Sequence, residues 1–309
     1  MQDLSYMKQS WRLVKEGKVR KIYEPEDNDQ LEMPVIALVA GDAVSAFDKK
    51  LGVEIPGKGK ILTQMSMRWF EYFARHGILS AYITANDDKL PKFFKNSKEF
   101  AGRTTIMCKL QMLPVEAIVR GYITGSAWKA YQNGERELCG NVLEEGLQNS
   151  EKFEQPIFTP TTKAPMGEHD ENITFKEMRE ILDGVELHVA KKPDNPALIV
   201  QNISLEIYRY ASHYAISKRI ILADTKFEFG VDKFGFIRVA DELLTPDSSR
   251  FWDYGTYEVG KEQDSMDKQI IRNYIAKEKA EGRSVEKIPN EILGRTRIAY
   301  ASCLAKLFG

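Results

Sequence analysis

The sequence predicts an α+β protein whose first third forms a small β-rich lobe. Three observations carry that reading. Short apolar runs in the first third are divided by Gly, Asn, Asp and Pro, the pattern of strands joined by turns. Further on, the helical spacing of ALIVQNISLEIYRYASHYAISKR leads directly into the strand-like ILADTKFEFG. The residues after SMDKQ return to helical spacing. With 309 residues, 43% hydrophobic and 29% charged, the chain can bury a substantial core and divide into two or three domains. The expected divisions are a β-rich lobe over 1–110, an α+β lobe over 111–262, and C-terminal helices packed on the core over 263–309.

Within the first lobe VRKIYE, MPVIALVAG and the stretch around AYIT read as strands, and LTQMSMRWFEYFARHG as a helix closed by Gly77. CKLQMLPVEAIVRGYI adds strand sequence. From Gly134 to about Gln155 the chain is polar and charge-rich, and is expected to form excursions and loops rather than core. In ITFKEMREILDG, Glu177 follows Thr174 by three residues, a capping box ahead of helical apolar spacing. KKPDNP breaks the chain. The long helix after it carries Ile203, Ile207, Tyr210 and Tyr214, and ends in Lys218 and Arg219, which complement a helix C-terminus. FEFGVDKFGFIRVADELL is two strand-like runs joined through Asp232 and Gly235, as in a hairpin. The tail reads as two helices, with Ser265 and Asn290 as expected caps.

Composition restricts the partners. Forty-four basic residues against 45 acidic ones give no general field for nucleic acid or an anionic membrane, so neither is an expected partner and any anion needs a local cluster. Cys108, Cys139 and Cys303 are far apart and the histidines are scattered, which suggests neither a disulfide framework nor a zinc site. The first residues lack an apolar signal core, and no run approaches the roughly 20 apolar residues of a membrane span. A cytoplasmic protein, monomer or homo-oligomer, is the expectation.

The chemistry concentrates in a few motifs. In ADTKFEFG, strand alternation puts Asp224, Lys226 and Glu228 on one face and Thr225, Phe227 and Phe229 on the other. If the hairpin turn centres between Phe234 and Gly235, Glu228 lies opposite Asp241, and shifting the centre by one whole residue leaves them diagonal on the same face. Two facing carboxylates suit a hard divalent cation such as magnesium, or else a solvated edge hairpin whose acids are offset by Lys226 and other bases. In LPVEAIVRGYITGSAWK, Arg120 ends an apolar strand just before Gly121, Thr124, Gly125 and Ser126 at a helix start. That arrangement suits an oxyanion, and equally a capped helix with Arg120 paired to an acid. Ser248, Ser249 and Arg250 in DELLTPDSSRFWD form a second polar turn ending in Arg. GVEIPGKG has Walker A spacing until Gly59, but Pro56 interrupts it and no strand-to-helix context is evident, so it is not read as a P-loop. In EGKVRKIYE, Gly17 precedes Lys18 and Arg20, as in a basic hairpin able to fold over phosphates or in a solvated basic strand; KGKILT carries the same two readings.

Taken together, GKVRKIYE, SAFDKKLGVEIPGKGKILTQMS, LPVEAIVRGYITGSAWKAY, TPTTKAPMGEHDENIT, LADTKFEFG, DELLTPDSSRFWD and SMDKQ resemble the phosphoribosylaminoimidazole-succinocarboxamide synthase (SAICAR synthetase) family, in its order and over nearly the full chain. Two departures stand out. Ala43 in DAVSAFD replaces an Arg frequent in the family, and Arg219 replaces a Gly that commonly precedes the IILAD strand.

The resemblance implies a two-lobed fold related to kinase-like and ATP-grasp architectures, with nucleotide between a β-rich N-terminal lobe and a larger α+β C-terminal lobe. It implies a carbon–nitrogen ligase of purine biosynthesis that uses ATP and Mg2+ to join 5-aminoimidazole-4-carboxylate ribonucleotide to L-aspartate through an acyl phosphate. By motif position, Lys18 and Arg20 in a nucleotide-covering hairpin meet ATP phosphates, Lys109 and Met112 flank the nucleotide, and Glu228 and Asp241 hold magnesium. Arg120, Ser126, Asp224 and Arg250 bind the ribonucleotide, and Lys226 lies near the transferred phosphoryl group. Lys163, His169 and Asp170 belong to a loop expected to close over the reactants, and Asp224 or His169 assists loss of the ammonium proton. Asp48 and Lys58 are expected near the aspartate or carboxylate pocket. A small-molecule kinase, or a nucleotide-binding regulator without turnover, accounts for part of the same motif set.

Overall fold

The computed structural model describes residues 10–28, 31–46, 49–95, 97–164, 169–285 and 287–309. Strands β1 (Trp11–Glu16) and β2 (Arg20–Pro25) form a hairpin closed by the Gly17 amide donating to the Arg20 carbonyl at 2.7 Å. Strand β3 (Val35–Ala40) pairs with β2, then β4 (Ala43–Ala46) and β5 (Lys49–Glu54) make a separate ribbon. Helix α1 (Lys58–Ala74), strand β6 (Tyr82–Thr84), the short α2 (Lys92–Lys95) and β7 (Thr104–Cys108) complete a five-stranded sheet in the order β1-β2-β3-β7-β6. VIALVA in β3 is apolar throughout because both its faces are covered. Val35, Ala37 and Val39 meet Trp11, Tyr23, Phe94 and Phe100, while Leu38 joins the main core with Met65, Trp69 and Phe70 of α1.

Helix α1 starts four residues before the LTQMSMRWF pattern. Its first amides are satisfied from a distance: Gly57 and Gly59 N–H donate to the Asp42 carboxylate at 3.0 and 2.9 Å. The expected lack of strand-to-helix context around GVEIPGKG is therefore corrected, since β5 does run into α1. Those amide donors already serve Asp42, which is also held by Arg103 at 3.1 Å next to the buried Ala43.

The chain crosses to the second sheet through Lys109–Leu110 and β8 (Gln111–Tyr122), followed by α3 (Gly125–Gln132), β9 (Glu137–Leu138), β10 (Asn141–Val142), β11 (Lys152–Phe158) and β12 (Thr161–Thr162). Helices α4 (Phe175–Asp183) and α5 (Pro196–Ser217) lead to β13 (Ile220–Val231), β14 (Ile237–Ala240) and β15 (Ser249–Asp253). The sheet order is β11-β8-β13-β14, with β12 beside β8 and β15 beside β13. The stretch expected to be loops contributes a small core after all, in which Leu138, Leu143 and Phe153 pack on Ile123, Ala127 and Tyr131. Thr174 and Glu177 form the expected capping box. At the end of α5, Arg219 takes a left-handed backbone (φ 57), which explains a preference for Gly there; its guanidinium lies 5.3 Å from the Tyr254 ring centre.

Strand β13 changes phase once. Ile220 and Leu222 enter the main core and Ile221 and Ala223 a second cluster with Tyr122 and Trp252, so IILA is apolar on both faces. A bulge between Leu222 and Asp224 then shifts the alternation. Downstream, Phe227, Phe229 and Val231 face the core beneath α5, while Asp224, Lys226 and Glu228 share the opposite face.

The hairpin register differs from expectation by one residue. Glu228 pairs with Ala240, and Asp241 falls just past β14 in left-handed backbone at φ 56, which re-aims its side chain. The tail forms α6 (Gln269–Ala280) and α7 (Asn290–Phe308). Neither expected cap acts as one: Asp267, not Ser265, accepts from the Gln269 amide, and Asn290 is already the first residue of α7. Among the described residues no helix is long and apolar enough to cross a membrane.

Gly121 lets α5 approach β8. A Cβ there would lie 1.9 Å from the Tyr208 hydroxyl oxygen, which donates to the Leu222 carbonyl at 2.7 Å. Gly121→Ala is expected to cost about 2–3 kcal/mol, through overpacking and loss of that buried bond. A urea midpoint unchanged from wild type would contradict the close approach.

Candidate active site

Three neighbouring strands set out the first cluster. Asp224 of β13 is opposite Arg120 on β8 and opposite Arg250 on β15, so one carboxylate lies between two guanidiniums. Arg120 Nη1 donates to Asp224 Oδ2 at 3.3 Å, its Nε to Thr159 Oγ1 at 2.9 Å and its Nη2 to Ser126 Oγ at 3.4 Å; Arg250 Nη1 donates to the same Asp224 oxygen. Burial lowers the Arg120 pKa, opposed by Asp224. At the start of α3, Gly125 has φ 58, and a Cβ would come within 2.5 Å of Arg250 Nη2. The guanidinium thus lies against the backbone of the helix N-terminus. Arg120, Arg250 and the neighbouring Arg272 against Asp224 and Asp267, with Ser126 and a helix start alongside, leave positive character suited to a phosphate monoester. Ser249, by contrast, turns inward to the Thr225 hydroxyl at 2.8 Å.

The same face continues as a line of acid–base pairs. Glu116 of β8 lies opposite Glu228 of β13 and opposite Thr161 of β12. Like charges facing each other are unfavourable, and each acid here has its own cation. Lys226 donates to Glu116 Oε1 at 2.6 Å, and Lys163 to Glu228 Oε2. Burial raises the Glu116 pKa, with Lys226 opposing; for Lys226, burial opposes and Glu116 raises, leaving its pKa up. Beyond Glu228, Arg20 from the β1–β2 hairpin reaches Asp241 at 2.9 Å and Glu242 at 2.7 Å. Burial raises the Asp241 pKa; Arg20 pulls it down and Glu228 pushes it up. Asp241 directly follows Ala240, the register partner of Glu228, so the two carboxylates belong to adjoining positions of the hairpin, each with its own cation. Arg20, Asp241 and Glu242 also line a small cavity of about 20 Å³ with Leu38, Ala40 and Met107.

Under this face lies a buried strut. Lys58, 1% exposed, donates to Asp247 Oδ2 at 2.7 Å, and the Tyr300 hydroxyl donates to Asp247 Oδ1 at 2.6 Å, tying α1 and α7 to the turn before Arg250. Burial opposes ionisation of Asp247, but Lys58 and Lys268 hold its pKa well below the usual carboxylate range. Lys58 is thus a structural cation and not a free group in a pocket. Lys268 is pushed down to about 8 by burial, with Asp247 opposing. Its folded pKa is below the unfolded one, so from pH 8 upward the folded protein sheds a proton that the unfolded chain keeps, and stability rises with pH. Relative to Lys268→Met, wild type is expected to gain about 1 kcal/mol between about pH 8 and 9.5. Parallel unfolding curves over that window would refute it.

The other expected residues are more dispersed. Lys18 follows Gly17 in the β1–β2 turn, beside a cavity of about 240 Å³ that Asp42, Ala43 and Arg103 also line. Lys109 pairs with Glu24 at 3.0 Å where the chain crosses between sheets, and Met112 just beyond is 39% exposed. Asp170 accepts from the Ala164 amide at 2.9 Å, and His169 is exposed. Asp48 lies outside the described residues. Sequence reasoning missed Glu116, a lone acid in an apolar strand that also appears in the quoted motif. It also missed Arg272, whose pKa is lowered by burial and by Arg250. Lys268 and Arg272, four apart at the start of α6, were the available signal.

The SAICAR synthetase family model matches residues 13–289. The phosphoribosylaminoimidazole-succinocarboxamide synthase of Lachnospira eligens is 42% identical over 302 residues, covering 96% of this chain and 95% of that protein. The SAICAR synthase of Saccharomyces cerevisiae, solved in complex with SAICAR, superposes with a TM-score of 0.79 at 35% identity, over 99% of this chain and 97% of that one. A SAICAR synthetase in complex with ADP gives 0.67 at 25% identity, over 96% and 97%.

Proposed function

The chain belongs to the SAICAR synthetase family, and from that premise we propose that it joins 5-aminoimidazole-4-carboxylate ribonucleotide to L-aspartate in purine biosynthesis, converting ATP to ADP and phosphate. The observation that carries this reading is the phase-shifted face of β13. It carries Asp224 between Arg120 and Arg250, which supports an anion site there, two and four residues from Lys226 and Glu228, where a phosphoryl group would be handled.

A carboxylate resists an amine nucleophile because it is anionic and has no good leaving group. Phosphorylation of one carboxylate oxygen gives an acyl phosphate, which the aspartate amine attacks, with phosphate departing. In the proposed division of work, Arg120, Arg250 and Ser126 hold the ribonucleotide phosphate and Asp224 fixes the two guanidiniums. Lys226 faces the phosphoryl group in transfer and offsets its charge. Lys18 and Arg20 meet ATP phosphates, Lys109 and Met112 flank the nucleotide, and Lys163 and Asp170 border the substrates. Asp224 or His169 takes the ammonium proton.

Glu228 and Asp241 fit a magnesium site. Both are hard oxygen donors carried at adjoining positions of the β13–β14 hairpin, and phosphate oxygens would complete the shell. Bound there, magnesium would neutralise charge on the transferring phosphoryl group.

The two larger sheets support the proposed β-rich N-terminal lobe with its nucleotide-covering hairpin (1–110) and α+β catalytic lobe (111–262), with the C-terminal helices (263–309) packed on the core. Three free thiols support a reducing cytoplasm. The test is to supply ATP, magnesium, aspartate and the carboxylated ribonucleotide and to seek the succinocarboxamide by mass. Product that depends on every component is expected, and ADP release without it would overturn the reading.

A further inference from the structure

We infer that Lys163 is an exchangeable counter-ion of Glu228, one that opposes capture of a free divalent ion and favours capture of the same ion with nucleotide. This rests on the reading of Glu228 as a metal ligand. Lys163 Nζ donates to Glu228 Oε2, so the oxygen proposed for the ion is already engaged by an ammonium. Asp241, the second proposed ligand, is engaged in the same way by Arg20 at 2.9 Å. Lys226 is no substitute partner, because it is held by Glu116, whose side chain is only 7% exposed.

The two ends of Lys163 differ in freedom. Its backbone is fixed, with its amide donating to the Pro114 carbonyl of β8 at 3.2 Å and the flanking Thr162 amide to the Glu171 carbonyl at 2.9 Å. Its side chain is 35% exposed, so the ammonium can leave Glu228 by rotation of its stem alone. Glu228 therefore serves a free ion only after Lys163 has lost its carboxylate with nothing in return. When the ion arrives with a polyphosphate, the released ammonium gains phosphate oxygens in exchange. Lys163 thus has opposite effects on the two binding events, whereas a side chain that merely supported the fold would weaken both when removed.

The test uses the full chain with Mn2+ as the probe, bound ion being read by electron paramagnetic resonance without turnover. Lys163→Met is expected to bind free Mn2+ about tenfold tighter than wild type, and Mn2+ with a non-hydrolysable ATP analogue about tenfold weaker. Lys163→Gln, which keeps a polar side chain, is expected to give the same two signs. Unchanged free-ion affinity, or a shift of the same sign in both measurements, would overturn the inference. Glu228→Gln/Lys163→Met separates the two claims. Loss of the tightened Mn2+ binding supports both, and its survival in the double variant shows that Glu228 is not the ligand, so the metal reading itself fails.

Discussion

Glu228→Gln is expected to lower turnover by about a hundred- to a thousandfold, with part of the loss recovered at high magnesium. The amide keeps the size and one carbonyl oxygen but removes the negative charge that a hard cation requires. The carboxylate is partly exposed, at 18% of its side-chain surface, and its ion partner Lys163 reaches solvent, so stability should change by less than about 0.5 kcal/mol. The effect is therefore separable from folding. Titrating magnesium against rate in both proteins checks it, and equal rates at limiting magnesium would remove Glu228 from the site.

Lys226→Met is expected to have the next largest effect, a drop in kcat of about a hundredfold or more with a smaller change in KM, because the cation is needed most while the phosphoryl group moves. Here stability also falls, since Glu116 is left buried without its partner. Breaking a fully buried pair costs about 3–5 kcal/mol. Lys226 keeps 39% of its side-chain surface, so the loss is discounted to about 2 kcal/mol. The deficit has a sign in pH. Glu116 already has a raised pKa from burial, and without Lys226 it rises further, so the folded variant holds a proton that the unfolded chain releases. Its stability therefore falls as pH rises above the ordinary carboxylate range and recovers toward acid. Glu116→Gln/Lys226→Met should regain most of the stability and none of the turnover. Recovery of both together would mean that Lys226 acts only through the fold.

The sequence made the alternation of β13 legible because Asp224, Lys226 and Glu228 are charged and their neighbours are not. It concealed the bulge before Asp224, since IILA is apolar on both faces and carries no phase. The hairpin of β13 and β14 was legible but its register was not, because Asp241 follows Ala240, the partner of Glu228, in a left-handed backbone that a non-glycine residue does not announce. Long-range partners were hidden for a different reason. Asp42 caps α1 from 15 residues before Gly57, and Lys58 meets Asp247 at a separation of 189 residues, beyond the reach of any local pattern. Glu116 stood in a quoted motif, yet its function depends on Lys226, which only strand pairing brings to it. The small core around Leu138 and Leu143 was masked by the charged residues that flank it, Glu135, Arg136 and Glu137 before and Glu144 and Glu145 after.

The central claim is that the ribonucleotide carboxylate is activated on this face before the amine attacks. The direct measurement is a reaction with the carboxylate labelled by oxygen-18, followed by mass analysis of the released phosphate. One labelled oxygen in each phosphate is the predicted result; phosphate free of label while succinocarboxamide accumulates would contradict it.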